Sequence, residues 1–125
     1  QPLILIIIYV RMGAHTLIHK RTEDDIWKNL FELPLVETEK DLSEEEFLAC
    51  PQFHALFAEG EVRMVRTLLR GVKHVLSHRV IYTNFYEVTL PDNSSSFSSY
   101  QRVAVEDLGR YAVPRLIHAF LEKYV

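Results

Sequence analysis

The sequence predicts an α+β fold: a mixed β-sheet with helices packed on it. Three observations carry the prediction. An apolar, β-branched run opens the chain, strand-like segments fill its middle, and helix-forming stretches lie near residue 43 and at the C-terminus.

Leu3 to Val10 is continuous and apolar, the pattern of a central strand buried on both faces. Gly13 marks a turn, and His15 to Lys20 reads as a second strand, followed by a polar loop over Arg21 to Asp25. The segment from Ile26 to Pro34 is aromatic and aliphatic and ends in proline. Proline lacks a backbone donor, so this piece is expected at an edge or as irregular chain. Ser43 is a good N-cap, and Glu46 three residues on completes a capping box. The helix that starts there should run through Phe47, Leu48, Phe53, Leu56 and Phe57 to Gly60, split in two by Pro51. Val65 to Leu69 and Val72 to Leu76 look like two short strands around Gly71, and Arg79 to Leu90 like one long strand. Pro91 to Ser99 is expected to be a flexible loop, with a final strand over Tyr100 to Val103. The last element should be a helix from Val105 or Glu106 to Lys123, kinked or restarted at Pro114. Its apolar stripe would be Leu108, Tyr111, Ala112, Leu116, Ala119 and Phe120.

The 125 residues suit one domain, 1–125, and with 48% apolar and 25% charged residues they can bury a core without staples. The absence of an initiating Met and the immediate start of apolar sequence suggest a fragment of a longer chain. The opening run is too short for a membrane span, and it lacks the basic leader and cleavage site of a signal peptide. Cys50 is the single cysteine, which excludes an internal disulfide and an iron–sulfur cluster within these residues and fits a reducing compartment. Net charge is −3, but it is unevenly spread. Glu37, Glu39, Asp41, Glu44, Glu45 and Glu46 face a single Lys40, whereas Arg63, Arg66, Arg70, Lys73 and Arg79, with His74 and His78, have no acid among them. Such a basic segment in an acidic domain can meet phosphate on one side; it can equally be a solvated strand face.

Three stretches together resemble one family. Ile26-Trp27-Lys28-Asn29-Leu30-Phe31-Glu32-Leu33-Pro34 resembles an "IW-x-x-L-aromatic-E-x-P" segment. Lys73-His74-Val75-Leu76-Ser77-His78-Arg79 is similar to an "H-x-F-S/T-H" loop, and Tyr111-Ala112-Val113-Pro114-Arg115 to a "Y-A-x-P" helix entry. These are features of the Nudix-like C-terminal domain of A/G-specific adenine DNA glycosylases, the MutY family. The resemblance implies a Nudix-like sheet with packed helices that serves recognition. The parent enzyme would excise adenine opposite 8-oxoguanine in base excision repair, using a catalytic domain elsewhere in the parent chain. That domain would carry the catalytic residues and a 4Fe-4S cluster; no catalytic residue, metal or cofactor is expected in these residues. The implied partners are double-stranded DNA with an 8-oxoguanine:adenine pair and the parent's catalytic domain. A monomer with no membrane association, in a bacterial cytoplasm and bound to DNA, is expected.

The expected DNA-contacting residues are Lys73, Leu76, Ser77, His78 and Arg79. Ser77 would read the lesion. 8-Oxoguanine gains a hydrogen at N7, and a serine hydroxyl can accept from it, while a backbone amide can meet O8. By the resemblance His78 contacts the DNA backbone. Leu76 stands where the family commonly has Phe, which leaves a wedge and a packing role both open. Each residue has a plainer reading: surface serine, structural histidine, strand leucine. A zinc pair of His74 and His78 is disfavoured, because extended chain would separate them by about 13 Å. Ser77 and His78 would not form a nucleophile–base pair, since adjacent strand residues face opposite ways. Trp27, Leu30 and Phe31 read as core. Glu44 to Glu46 read as a first-turn cluster that complements the helix dipole. Two alternatives stand beside lesion recognition. A Nudix-type nucleotide pyrophosphohydrolase is opposed by the lack of any Arg-Glu dipeptide. A protein-interaction module could use the serine loop and the acidic run.

Overall fold

A computed structural model describes residues 2–125. Seven strands and three helices build it. The strands are β1 (Leu3–Arg11), β2 (His15–Lys20), β3 (Phe31–Glu32), β4 (Leu35–Thr38), β5 (Met64–Leu76), β6 (Arg79–Thr89) and β7 (Gln101–Ala104). The helices are α1 (Glu44–Ala49), α2 (Pro51–Leu56) and α3 (Arg115–Tyr124), with a 3-10 turn over Val105–Arg110. A four-stranded sheet runs β4-β1-β6-β5 and a three-stranded one β3-β2-β7. β1 lies parallel to β6 and antiparallel to β4, so the larger sheet is mixed, as expected.

β1 is central because it is apolar on both faces. Leu5, Ile7 and Tyr9 point into one core, with Ile81, Phe85, Ile117 and Phe120, under α3. Ile6, Ile8 and Val10 point into the other, with Phe47, Phe53, Tyr86 and Val88, under α1 and α2. Each core is an aromatic lock: Phe120 stacks on Phe85 at 4.4 Å, and Phe47 on Tyr86 at 5.1 Å.

The capping box forms as expected: Ser43 Oγ accepts from the Glu46 amide at 3.1 Å, and Glu46 accepts from the Ser43 amide at 3.0 Å. Pro51 ends α1 and starts α2 at its first turn, where a missing N–H costs nothing. The helix does not extend to Gly60; α2 stops at Leu56, and Phe57 is already extended.

Three further expectations are corrected. The two short strands around Gly71 are one 13-residue strand. Two irregularities, between Thr67 and Leu69 and between Leu69 and Val72, absorb the surplus residues, and Gly71 takes a φ of 65° in the second. β5 is an edge strand, and bulges with basic side chains protect such an edge from pairing with another chain. The Pro91–Ser99 segment is held rather than loose. Glu61 accepts hydrogen bonds from Ser94 Oγ at 2.5 Å and Ser96 Oγ at 2.8 Å, and from the Ser95 amide at 3.2 Å. Phe97 packs against Phe57 and Tyr100. Finally, the stretch from Val105 to Arg110 is a 3-10 turn rather than α-helix, while the restart at Pro114, one of the two expected outcomes, is observed: α3 begins at Arg115 with Pro114 at its N-cap. Its buried stripe is Leu116, Ile117 and Phe120; Ala112 and Ala119 are exposed.

Candidate nucleic-acid interface

β5 and β6 form a hairpin whose last pair is Leu76 with Arg79, so Ser77 and His78 are its two-residue loop. Each partner is then the mirror of the other about that turn: Val75 meets Val80, His74 meets Ile81 and Lys73 meets Tyr82. The expected break between strands ending at Leu76 and starting at Arg79 is observed, so Ser77 and His78 sit in a tight turn; the extended chain assumed between His74 and His78 stops at Leu76, and strand alternation does not set the directions of Ser77 and His78. Neither has a positive φ, so the turn is not one of the two primed types that such hairpins favour.

The five expected residues all lie on this hairpin, but in different environments. Ser77, His78, Lys73 and Arg79 are exposed, and among the described residues the Ser77 hydroxyl has no protein hydrogen-bond partner. Leu76 is half-buried and packs against the core that contains Leu5 and Ile81. It anchors the loop from below, which is the packing role. His74 is half-buried opposite Ile81.

The basic segment is largely committed within the fold. Arg66 pairs with Glu87 at 3.0 Å. Arg70 pairs with Asp41 at 3.1 Å and also donates to the Tyr86 hydroxyl at 2.8 Å and the Leu42 carbonyl at 2.8 Å. Arg63 donates to the Gly60 carbonyl at 2.6 Å. Burial raises the Tyr86 phenol pKa above its ordinary value, and the Arg70 charge opposes that rise. Among the described residues, Lys73 and Arg79 enter no ion pair. Arg79 stands in the last pair, next to the loop, and Lys73 three rungs behind it.

Sequence reasoning missed the polar group beside them. Asn84, 2% exposed, donates to Asp41 at 2.9 Å and accepts from the Gly71 amide at 2.7 Å. The side chain thus ties the bulge to the acidic segment before α1. Only the small polar residue in a run of apolar strand positions hinted at it. Glu44 accepts from Thr67 Oγ1 at 2.6 Å and Glu46 closes the capping box, so these two α1 glutamates are engaged as structural acceptors. No group of three His, Cys, Asp or Glu side chains suited to a metal ion occurs among the described residues.

Trp27 and Phe31 pack at the rim of the first core, as expected, and Leu30 lines the small apolar gap beside them. Arg21 pins this loop by donating to Asp25 and Glu32, each at 2.7 Å.

A family model described as NUDIX domain matches residues 5–123. No curated protein sequence matches the chain. Among solved structures, the C-terminal domain of mouse MUTYH, determined in complex with human PCNA, superposes with a TM-score of 0.74 at 14% identity. That match covers 99% of this chain and 88% of the other. The Nudix hydrolase RenU from M. smegmatis gives a TM-score of 0.65 at 11% identity, covering 98% and 81%. The MutT protein from Methanosarcina mazei Go1 gives 0.62 at 18% identity, covering 98% and 93%. At these identities the likeness is one of fold.

Proposed function

The chain belongs to the NUDIX domain family, and on that premise we propose that it is the lesion-recognition domain of a MutY-type adenine DNA glycosylase. It reads 8-oxoguanine opposite the adenine that a catalytic domain elsewhere in the parent protein removes. One observation carries the reading: the β5–β6 loop exposes the Ser77 hydroxyl, with Arg79 in the adjoining last pair and Lys73 three rungs behind it, and neither cation enters an ion pair among the described residues. The hydroxyl can accept the N7 hydrogen that distinguishes 8-oxoguanine from guanine, and Lys73 and Arg79 can hold phosphates. Leu76 keeps the loop in place from the core side. The likeness to the mouse MUTYH domain supports the same reading.

Nucleotide hydrolysis is the rival, since Nudix hydrolases share the fold. The chain has no Arg-Glu dipeptide, and Glu44 and Glu46 are spent on Thr67 and the capping box. The test is the effect of Ser77→Ala on lesion preference in the parent enzyme. Efficient magnesium-dependent turnover of nucleoside triphosphates by this chain would instead favour the rival.

A further inference from the structure

The hairpin has a second exposed surface behind its loop. Alternation along β6 sends Ile81, Thr83 and Phe85 toward the core under α3, and Val80, Tyr82, Asn84 and Tyr86 toward the side of α1 and α2. On that side the helical cover reaches Tyr86 through Phe47, and Asp41 closes over Asn84. Beyond this row the sheet is bare. Lys73 stands opposite Tyr82, and Val75 opposite Val80. Val75 is 65% exposed and Tyr82 36%, high values for large apolar side chains on a packed sheet. Lys73 supplies an exposed cation beside them. Lys73 has no ion pair among the described residues, and Asp41, one row inward, is already held by Arg70 at 3.1 Å and Asn84 at 2.9 Å.

We propose that this face carries the sugar–phosphate backbone of the bound DNA next to the lesion, with Lys73 on a phosphate and Tyr82 and Val75 against the sugars. The inference rests on the domain's reading as a DNA-binding module and adds a surface to it. The chemistry is complementary: an unpaired ammonium attracts phosphate, and flanking apolar groups exclude water and lessen the screening of that contact. The surface is continuous with the loop. The Lys73–Tyr82 pair lies three rungs behind the last pair, about 10 Å along the strands, so one duplex can span both. Because backbone is the same in every sequence, this face contributes affinity and Ser77 contributes lesion choice.

A benzophenone crosslinker placed at position 82, and in a second protein at position 77, separates the possibilities. Each is irradiated with duplexes containing either A:8-oxoguanine or A:G. Position 82 should crosslink to DNA with both duplexes. Joint replacement Lys73→Ala and Tyr82→Ala should weaken both affinities about tenfold, leaving their ratio unchanged; the melting curve serves as the folding control. Crosslinking from position 77 alone would overturn the proposed face while sparing the loop as a DNA contact. Crosslinking to DNA from neither position would overturn this face and the DNA-binding reading together.

Discussion

Salt dependence is a sensitive gauge of how many cations the domain brings to DNA. Five Lys and Arg residues lie between 63 and 79, and if all met phosphate the logarithmic salt slope would be about −4.5. Glu87 and Asp41 pair with Arg66 and Arg70, and Arg63, which donates to the Gly60 carbonyl, lies at the end of the hairpin away from the loop, leaving Lys73 and Arg79. Two phosphate contacts give a slope of about −1.8, so affinity should fall only about twelvefold between 50 and 200 mM salt; five would cost about five-hundredfold. Binding by this chain alone should be weak, with a Kd on the order of 100 µM at physiological salt. A chemical-shift titration of the chain with a short duplex across that salt range measures the slope. Lys73→Ala should reduce it to about −0.9, and Arg66→Ala should leave it unchanged. A slope near −4.5, or one that Arg66→Ala flattens, would instead mean that the Arg66 and Arg70 ion pairs open on binding and that more than two cations meet phosphate.

Two further outcomes concern the fold around the site. Hydrogen bonds from Ser94 and then Ser96 hold the Glu61 carboxyl at about 2, below its ordinary 4.5. A depressed carboxylate stabilises the folded state above its unfolded pKa, and that stabilisation is lost as pH falls from 4.5 toward 2. The wild-type Tm should therefore drop more steeply than that of Glu61→Gln over this window in parallel thermal melts, and equal slopes would dismiss the clasp. Asp41→Ala removes the acceptor of the buried Asn84 amide and one partner of Arg70, and should cost about 1–3 kcal/mol in urea unfolding. A loss below about 0.5 kcal/mol would mean that water replaces the carboxylate.

What the sequence revealed and what it hid divide by range. The capping box at Ser43 and Glu46 and the break at Pro51 are legible because each depends on residues within a few positions. β1 is legible because burial on both faces leaves an uninterrupted apolar run. The serine loop looked flexible because its composition is polar, but its partner, Glu61, lies more than thirty residues away. β5 looked like two strands because Gly71 interrupts its pattern, and only pairing with β6 shows that bulges absorb the break. The same holds at the candidate site. The basic run was visible, but the ion pairs that neutralise Arg66 and Arg70 are formed with Glu87 and Asp41, distant in sequence. Tyr82 became a candidate only once the turn at Ser77 and His78 set it opposite Lys73.

Whether the β5–β6 loop reads the lesion is decided by single-turnover adenine excision by the parent enzyme carrying Ser77→Ala, with A:8-oxoguanine and A:G duplexes compared. Alanine keeps the backbone amide and removes the acceptor for the N7 hydrogen. Ser77 is exposed and has no protein partner among the described residues, so the domain should melt as the wild type does. A lone hydroxyl contact is worth about 1 kcal/mol, the low end for base readout, so preference for the oxidised pair should fall roughly fivefold. Joint replacement of Leu76, Ser77 and His78 should reduce it further. An unchanged preference in the triple variant, with the domain still folded, would contradict the assignment of this loop as the lesion reader.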